Sequence, residues 1–217
     1  MPDQGPDPRR DLQNTVHALF AEDPGTGFSL VNGEGIVTFT NARSAYLFLR
    51  GTPEQAIGRS LSEIFESPWA EERMRILARI KETGTPVILR HIRHGTQIQS
   101  TIRLLTEPDE DDATFLVLTV EGEHEPADPE QFEIIESKLV HLGPLGLLTR
   151  REIEVLALVG HGLSTAEMAR ALHRSPRTIE RHCDSIRGKL QGATRVQMAD
   201  FARRAGLRIE DSERERI

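Results

Sequence analysis

Between residues 148 and 207 the apolar positions fall into four short helical repeats, separated by polar or glycine breaks. Thr149 and Glu152 form an N-terminal capping box ahead of Ile153, Leu156, Ala157 and Val159, and Gly162 ends that repeat. Ser164 and Glu167 make a second box before Met168, Ala169 and Leu172. Ser175 then caps a longer repeat that begins at Pro176, where the missing N–H costs nothing. In that repeat Ile179, Cys183, Ile186 and Leu190 are spaced 4, 3 and 4, a single apolar stripe. Thr194 opens the fourth repeat, with Val196, Ala199 and Phe201, which stops at Gly206.

Upstream the period shortens. Residues 27–31 and 35–40 are strand-like runs around the hairpin signal Asn32-Gly33-Glu34. A helical run follows from Asn41 to Gly51, then a turn at residues 52–55 and a longer helix over 69–83, with Met74, Leu77 and Ile80 inward. Residues 86–93, 97–105 and 114–121 are three further strand candidates, divided by Gly95 and the acidic stretch 107–112. Ahead of all this, residues 1–8 have a disordered composition. A short amphipathic helix with Leu12, Val16, Leu19 and Phe20 on one face begins at Arg9. Residues 121–130 form a Pro- and acid-rich linker expected to be a solvated hinge. From Gln131 the spacing of Phe132, Ile135, Leu139 and Leu142 predicts a connecting helix, broken by Gly143-Pro144. The charged residues after Leu207 are expected to fray.

Charge separates the two halves. Residues 1–145 hold 13 Lys and Arg against 24 Asp and Glu, a balance of −11; residues 146–217 hold 14 against 10, a balance of +4, and the two give the −7 of the chain. An acidic front fused to a basic back suits one module that meets phosphate and another that avoids it. The excess of +4 is small, so useful affinity for a polyanion is expected only from two copies on paired half-sites. The single cysteine, Cys183, excludes an intramolecular disulfide and any multi-cysteine zinc or iron–sulfur site, and its place on the stripe makes it a packing residue. No apolar run approaches the roughly 18–20 residues that cross a bilayer and no secretory signal opens the chain, so a cytoplasmic protein is expected. No GxSxG, P-loop, HExxH or GxGxxG stands at usable spacing, so no enzyme is expected.

Two capped helices joined by His173-Arg174, the second longer and charged, make a helix-turn-helix. The stripe, turned inward, leaves Arg177, Glu180, Arg181, Asp184 and Arg187 outward on a helix of the width that fits the major groove. The candidate DNA-contacting set is Arg177, Thr178, Glu180, Arg181, Asp184, Arg187 and Lys189, together with Ser164 and Thr165 at the start of the preceding helix. Glu180 has two readings: it accepts from a cytosine amino group, or it pairs with Arg177 and never touches DNA.

Leu148-Thr149-x-Arg151-Glu152-x-Glu154-Val155-Leu156, Gly162-x-Ser164, Glu167-Met168-Ala169, Ser175-x-x-Thr178-Ile179-x-x-His182, Ile186, Lys189-Leu190 and Arg195 form one ordered pattern. It resembles the LuxR-type (GerE-like) DNA-binding domain of bacterial transcription regulators. The resemblance implies a four-helix domain whose third helix reads DNA and whose fourth often forms the dimer contact. Many members carry Lys at the positions matching Glu180 and Asp184; both are acidic here, a departure from a simple phosphate clamp.

Asn32-x-x-Gly35-Ile36-Val37 with Asn41, followed by Ile57-Gly58-Arg59-Ser60-Leu61 and Ile64, is similar to the PAS sensory domain over about residues 25–122. That resemblance implies a five-stranded antiparallel sheet with helices over one face, enclosing a small pocket. Photoactive relatives use a cysteine, which residues 1–145 lack, and haem-binding relatives often place a histidine on the long helix, which residues 69–83 lack. No cofactor is therefore expected. A dimerisation and protein-contact role leads, and a non-covalent small apolar or aromatic ligand in the PAS-like pocket is second. His91 and His94 are read as solvated or edge-strand residues, and Trp69 and Tyr46 as packing.

The expected architecture is α+β. A tail (1–8) precedes an amphipathic helix and PAS-like five-stranded domain (9–122), an acidic linker with connecting helix (123–147), an all-α four-helix domain (148–208) and a charged tail (209–217). The expected function is a dimeric regulator of transcription that receives a signal through the PAS-like domain and binds double-stranded operator DNA through helix 176–190. The alternative is a protein-interaction regulator that contacts RNA polymerase or another regulator and binds DNA weakly.

Overall fold

Asn32 turns the first hairpin: its carboxamide oxygen accepts the N–H groups of Glu34 (3.1 Å) and Ile36 (2.8 Å), while Gly35 takes the left-handed φ of +81° that the turn requires. The flanking strands, β1 (Gly27–Asn32) and β2 (Val37–Thr40), pair antiparallel with Leu30 opposite Phe39. Asn41 does the equivalent work for helix α1 (Ala42–Leu49). Its oxygen accepts from Ser44 (2.8 Å) and Phe28 (3.0 Å), and its amide donates to the Thr26 carbonyl (2.9 Å), so one side chain caps the helix and ties it to β1. This computed structural model describes residues 23–106 and 113–217. The expected N-terminal tail and helix, with Leu12, Val16, Leu19 and Phe20, and the acidic stretch 107–112 lie outside the described residues.

A Ser60–Glu63 capping box starts the short α2 (Leu61–Ile64), and α3 (Ser67–Thr83) buries Trp69, Ile76, Leu77 and Ile80. Strands β3 (Val87–Arg93), β4 (Thr96–Leu104) and β5 (Thr114–Glu121) follow, and β5 runs antiparallel to β1 from Gly27–Thr119 to Asn32–Thr114. In hydrogen-bonded order the strands are β2-β1-β5-β4-β3-β6-β7, where β6 is Glu133–Val140 and β7 is Glu215–Arg216. The sheet thus has seven strands where five were expected.

Two compact units divide the chain. The first holds residues up to 89 with 100–120 and 127–134; the second holds 90–99, 121–126 and 135–217. The second contains four helices, α4 (Arg150–Gly160), α5 (Thr165–Ala171), α6 (Pro176–Lys189) and α7 (Arg195–Arg204). Their common core includes Ile153, Leu156, Met168, Ile179, Ile186 and Met198, and extends to Ile92, Val140 and Leu142. Among the described residues, no helix is long and apolar enough to cross a membrane.

Two expectations need correction. The connecting helix is strand β6. A spacing of four, as between Ile135 and Leu139, satisfies a period of 3.6 and a period of 2 alike. The alternation of exposed Ile134, Glu136 and Lys138 with the more buried Ile135, Ser137 and Leu139 is that of a strand. The backbone is also used at both ends: Glu133 N–H donates to the Pro86 carbonyl (3.0 Å) and His141 N–H to the Ile92 carbonyl (3.0 Å). The tail beyond Leu207 is likewise built in. It forms a 3-10 turn (Ile209–Glu213) and then β7, which pairs parallel with β6. The acidic linker is largely exposed, as expected, and it is tethered at two residues: Gln99 exchanges hydrogen bonds with the His124 backbone (2.9 and 3.1 Å) and Glu123 pairs with Arg90 (2.6 Å) and Arg208 (2.9 Å).

Ion pairs hold the tail. Arg214 bridges Asp211 (2.9 Å) and Glu136 (3.1 Å), and Asp211 also accepts the Arg208 N–H (2.7 Å). Burial pushes the Asp211 carboxyl above its usual range, partly offset by the Arg208 N–H and the charges of Arg214 and Arg208. Arg214→Ala removes the ion-pair partner of the 2% exposed Asp211 and should cost about 3 kcal/mol in urea unfolding. Arg204→Ala, which removes an exposed pair with Asp200, should stay within about 0.5 kcal/mol. Equal costs would show that the tail network is not the buried one.

Candidate nucleic-acid interface and a cavity in the first unit

Local sequence sets each end of the helix pair. Ser164 Oγ and N–H both donate to Glu167 Oε2 (2.6 and 2.7 Å), which starts α5. After α5 the chain reverses through His173, a non-glycine residue at φ +52°, and Arg174 N–H returns to the Ala169 carbonyl (2.8 Å). Ser175 then accepts the Thr178 N–H (3.1 Å), and Pro176 occupies the first position of α6. Along α6, Ile179 and Ile186 are fully buried, Leu190 is buried and Cys183 is half-buried. Arg177, Glu180, Arg181, Asp184 and Arg187 are all exposed. The stripe therefore fixes the rotation of α6 and presents its charged side outward.

What holds that rotation is a carboxylate the sequence marks only as a cap. Glu152 accepts the Thr149 N–H (2.6 Å) as part of the box that starts α4. The same carboxylate accepts Ser185 Oγ (2.6 Å) and Lys189 Nζ (2.7 Å) from α6. Burial by itself raises its pKa, but the hydrogen bonds from Lys189, Ser185 and Thr149 outweigh burial and hold it at about 2. On the opposite side Gly160 lets α4 close on α7: a Cβ there would lie 2.6 Å from the Ala202 methyl. Burial raises the Cys183 thiol pKa, with Arg195 and Arg187 only partly opposing it, so the group stays a protonated packing residue at neutral pH.

The nine residues expected at the interface divide by what they already hold. Arg177, Glu180 and Arg181 stand together on one exposed face and, among the described residues, make no ion pair. Asp184 is neutralised by Arg187 (2.8 Å). Ser164 is committed to its cap, Thr178 Oγ1 lies 2.8 Å from Ser175 Oγ, and Thr165 is half-exposed beside them in sequence. Lys189 is committed to Glu152 and so stands apart from the exposed set. Arg174, exposed at the mouth of α6, escaped the sequence reading because it sits in the turn, outside any helical period.

The first unit encloses a cavity of about 80 Å³. Its wall includes the rings of Phe48, Phe65 and Trp69, with Phe65 and Trp69 centroids 4.1 Å apart. Also in the wall, Ser29 Oγ bonds both Thr40 Oγ1 (2.8 Å) and Ser44 Oγ (2.7 Å). Arg73, also in the wall, lies 3.9 Å from the Trp69 ring and pairs with Glu72. Trp69 thus packs as expected and lines the cavity besides. Tyr46 does not pack inward: it is exposed, with the Arg50 guanidinium 4.5 Å from its ring centre. His91, read as solvated or on an edge strand, is buried in β3 between β4 and β6, and His94 N–H donates to His141 Nδ1 (3.0 Å).

Residues 146–202 match the family model of bacterial regulatory proteins of the luxR family, and residues 26–121 match that of the PAS fold. The chain thus carries a PAS-like segment ahead of a luxR-like one. The luxR-family segment is 44% identical over 61 residues to a putative HTH-type transcriptional regulator of Mycobacterium bovis, covering 28% of this chain and 7% of that protein. It is 40% identical over 62 residues to the transcriptional regulatory protein LnrK of Bacillus subtilis, covering 29% of this chain and 28% of that one. The chain therefore spans well under a third of these curated relatives. Among solved structures, the VqmA–ligand–DNA complex of Vibrio cholerae is 19% identical over 90% of both chains with a TM-score of 0.47. The PAS domain of Bordetella pertussis BvgS is 14% identical, covering 52% of this chain and 88% of that one, with a TM-score of 0.43.

In the segment that matches the luxR-family model the Glu152 clamp sets an acid limit. Its folded pKa of about 2 lies below the ordinary 4.5, so the clamp contributes fully above pH 4.5 and is lost as pH falls toward 2. Chemical denaturation of the wild type between pH 5 and 2 should lose about 3 kcal/mol more than the same titration of Glu152→Gln, which is already without the charge. Parallel curves for the two proteins would remove the clamp from the account.

Proposed function

We propose that this chain regulates transcription by binding double-stranded DNA as a dimer, with α6 of each copy in the major groove and the PAS domain receiving a small-molecule or protein signal. The observation that carries the reading is the division of α6: Ile179 and Ile186 are fully buried while Arg177 and Arg181 are exposed and make no ion pair among the described residues. Two unengaged guanidinium groups near the start of such a helix match the fork geometry of phosphate oxygens and of guanine O6 and N7. The net charge of +4 over residues 146–217 supports a dimer, because one copy neutralises few phosphates. Two copies related by a twofold axis meet half-sites about 10 base pairs apart, a spacing that palindromic operators provide.

The PAS cavity supports a small, uncharged guest. Three of its hydroxyls bond one another and its arginine is already engaged by Glu72 and Trp69, so a charged ligand would find no uncommitted counter-charge there. A guest alters DNA binding only to the extent that it prefers one arrangement of the protein over another.

Mobility shifts with a selected operator test the reading. Arg181→Ala and Arg177→Ala should each weaken binding by about 1–3 kcal/mol, roughly 5- to 150-fold, and the logarithm of wild-type affinity should fall linearly with that of salt concentration. Unchanged affinity in both variants would favour the alternative, a regulator that docks on another protein through this face.

A further inference from the structure

Glu180 is the anomalous group on the exposed face of α6. It lies in the second turn, flanked by Arg177 three residues earlier and Arg181 next to it, and its carboxylate forms no ion pair or hydrogen bond among the described residues. The pairing with Arg177 that would have neutralised it is not made. The neighbouring acid shows what neutralisation looks like: Asp184 is held by Arg187 at 2.8 Å. An unneutralised carboxylate facing a polyanion is repelled, and as an ionised group it can only accept hydrogen bonds. The major groove offers two amino donors. The N6 amino group of adenine sits beside N7, an acceptor that repels a carboxylate on the same edge; the N4 amino group of cytosine has no acceptor of its own beside it. Residues in the N-terminal part of a recognition helix are those that reach base edges, and Glu180 is among them, with Asp184 one turn further along.

We propose that Glu180 is a specificity determinant that accepts a hydrogen bond from the cytosine amino group at one position of each half-site and disfavours the other three bases there. This rests on the DNA-binding reading above. Asp184, neutralised within its own helix, contributes no such preference.

The test is binding-site selection from random duplex DNA by the full chain as wild type, Glu180→Gln and Glu180→Ala, followed by competition measurements on single-base variants. The wild type should require cytosine at one position per half-site, with discrimination of roughly 5- to 100-fold. Glu180→Gln should move that position to adenine, because an amide supplies the donor and acceptor that match N7 and N6. Glu180→Ala should lose preference at that position alone, to within about twofold, and bind unrelated DNA more tightly because a repelling charge is gone. If all three proteins select the same sequence, Glu180 is a solvated charge and the assignment fails while DNA binding stands. If the wild type enriches no sequence, the DNA-binding reading falls and the assignment falls with it.

Discussion

The buried carboxylate of Glu152 does two jobs with one set of oxygens. It completes the capping box that starts α4 and, through Ser185 and Lys189, holds α6 against α4. Such a group is costly to bury unless its lone pairs are filled, and here three hydrogen bonds fill them, one of them from a cation. The consequence reaches the other side of α6. With Ser185 and Lys189 drawn toward Glu152, and Ile179 and Ile186 in the core, the helix is fixed in rotation and Arg177, Glu180 and Arg181 are left outward. A change at Glu152 therefore acts on the exposed face without touching it.

The same clamp sorts the charges of the domain. Arg187 is spent on Asp184, Lys189 on Glu152 and Arg195 on the Leu163 carbonyl. The formal excess of positive charge thus overstates what α6 can offer a phosphate backbone. What remains near the helix start is a compact pair of guanidinium groups with one acid between them. That composition suits recognition of bases better than general adhesion to a polyanion, since a nonspecific clamp gains nothing from a carboxylate.

How much of this could be read in advance follows from the range of the forces involved. The four capping motifs of the second unit were legible because a cap joins residues three apart, and Thr149, Ser164, Ser175 and Thr194 all cap their helices. The stripe that rotates α6 was legible because Ile179 and Ile186 are seven apart and only a helix brings them to one face. Strand β6 was not, because Ile135 and Leu139 fit two periods and the choice was made by hydrogen bonds to Pro86 and Ile92, more than 40 residues earlier. The tail escaped for the same reason: Arg214 looks solvated until Glu136 lies across from it. Lys189, too, looks like a phosphate ligand in sequence, and only the fold reveals that Glu152, 37 residues away, already holds it.

The cavity of the first unit obeys a stricter chemistry than its size alone would suggest. Ser29, Thr40 and Ser44 are already hydrogen-bonded to one another, so a guest that offers a donor or acceptor exchanges one hydrogen bond for another at little net cost. A charged guest has no such exchange available, since the arginine in the wall is balanced by Glu72 and stacked on Trp69. Binding energy must therefore come from burying apolar surface against Phe48, Phe65 and Trp69, at about 25 cal/mol per Å². A guest that fills the space presses on rings carried by α1 and α3, and one that underfills it leaves them as they are. The wall of the first unit is thus mainly apolar, with its arginine already engaged, whereas the exposed face of α6 carries two guanidinium groups and one carboxylate.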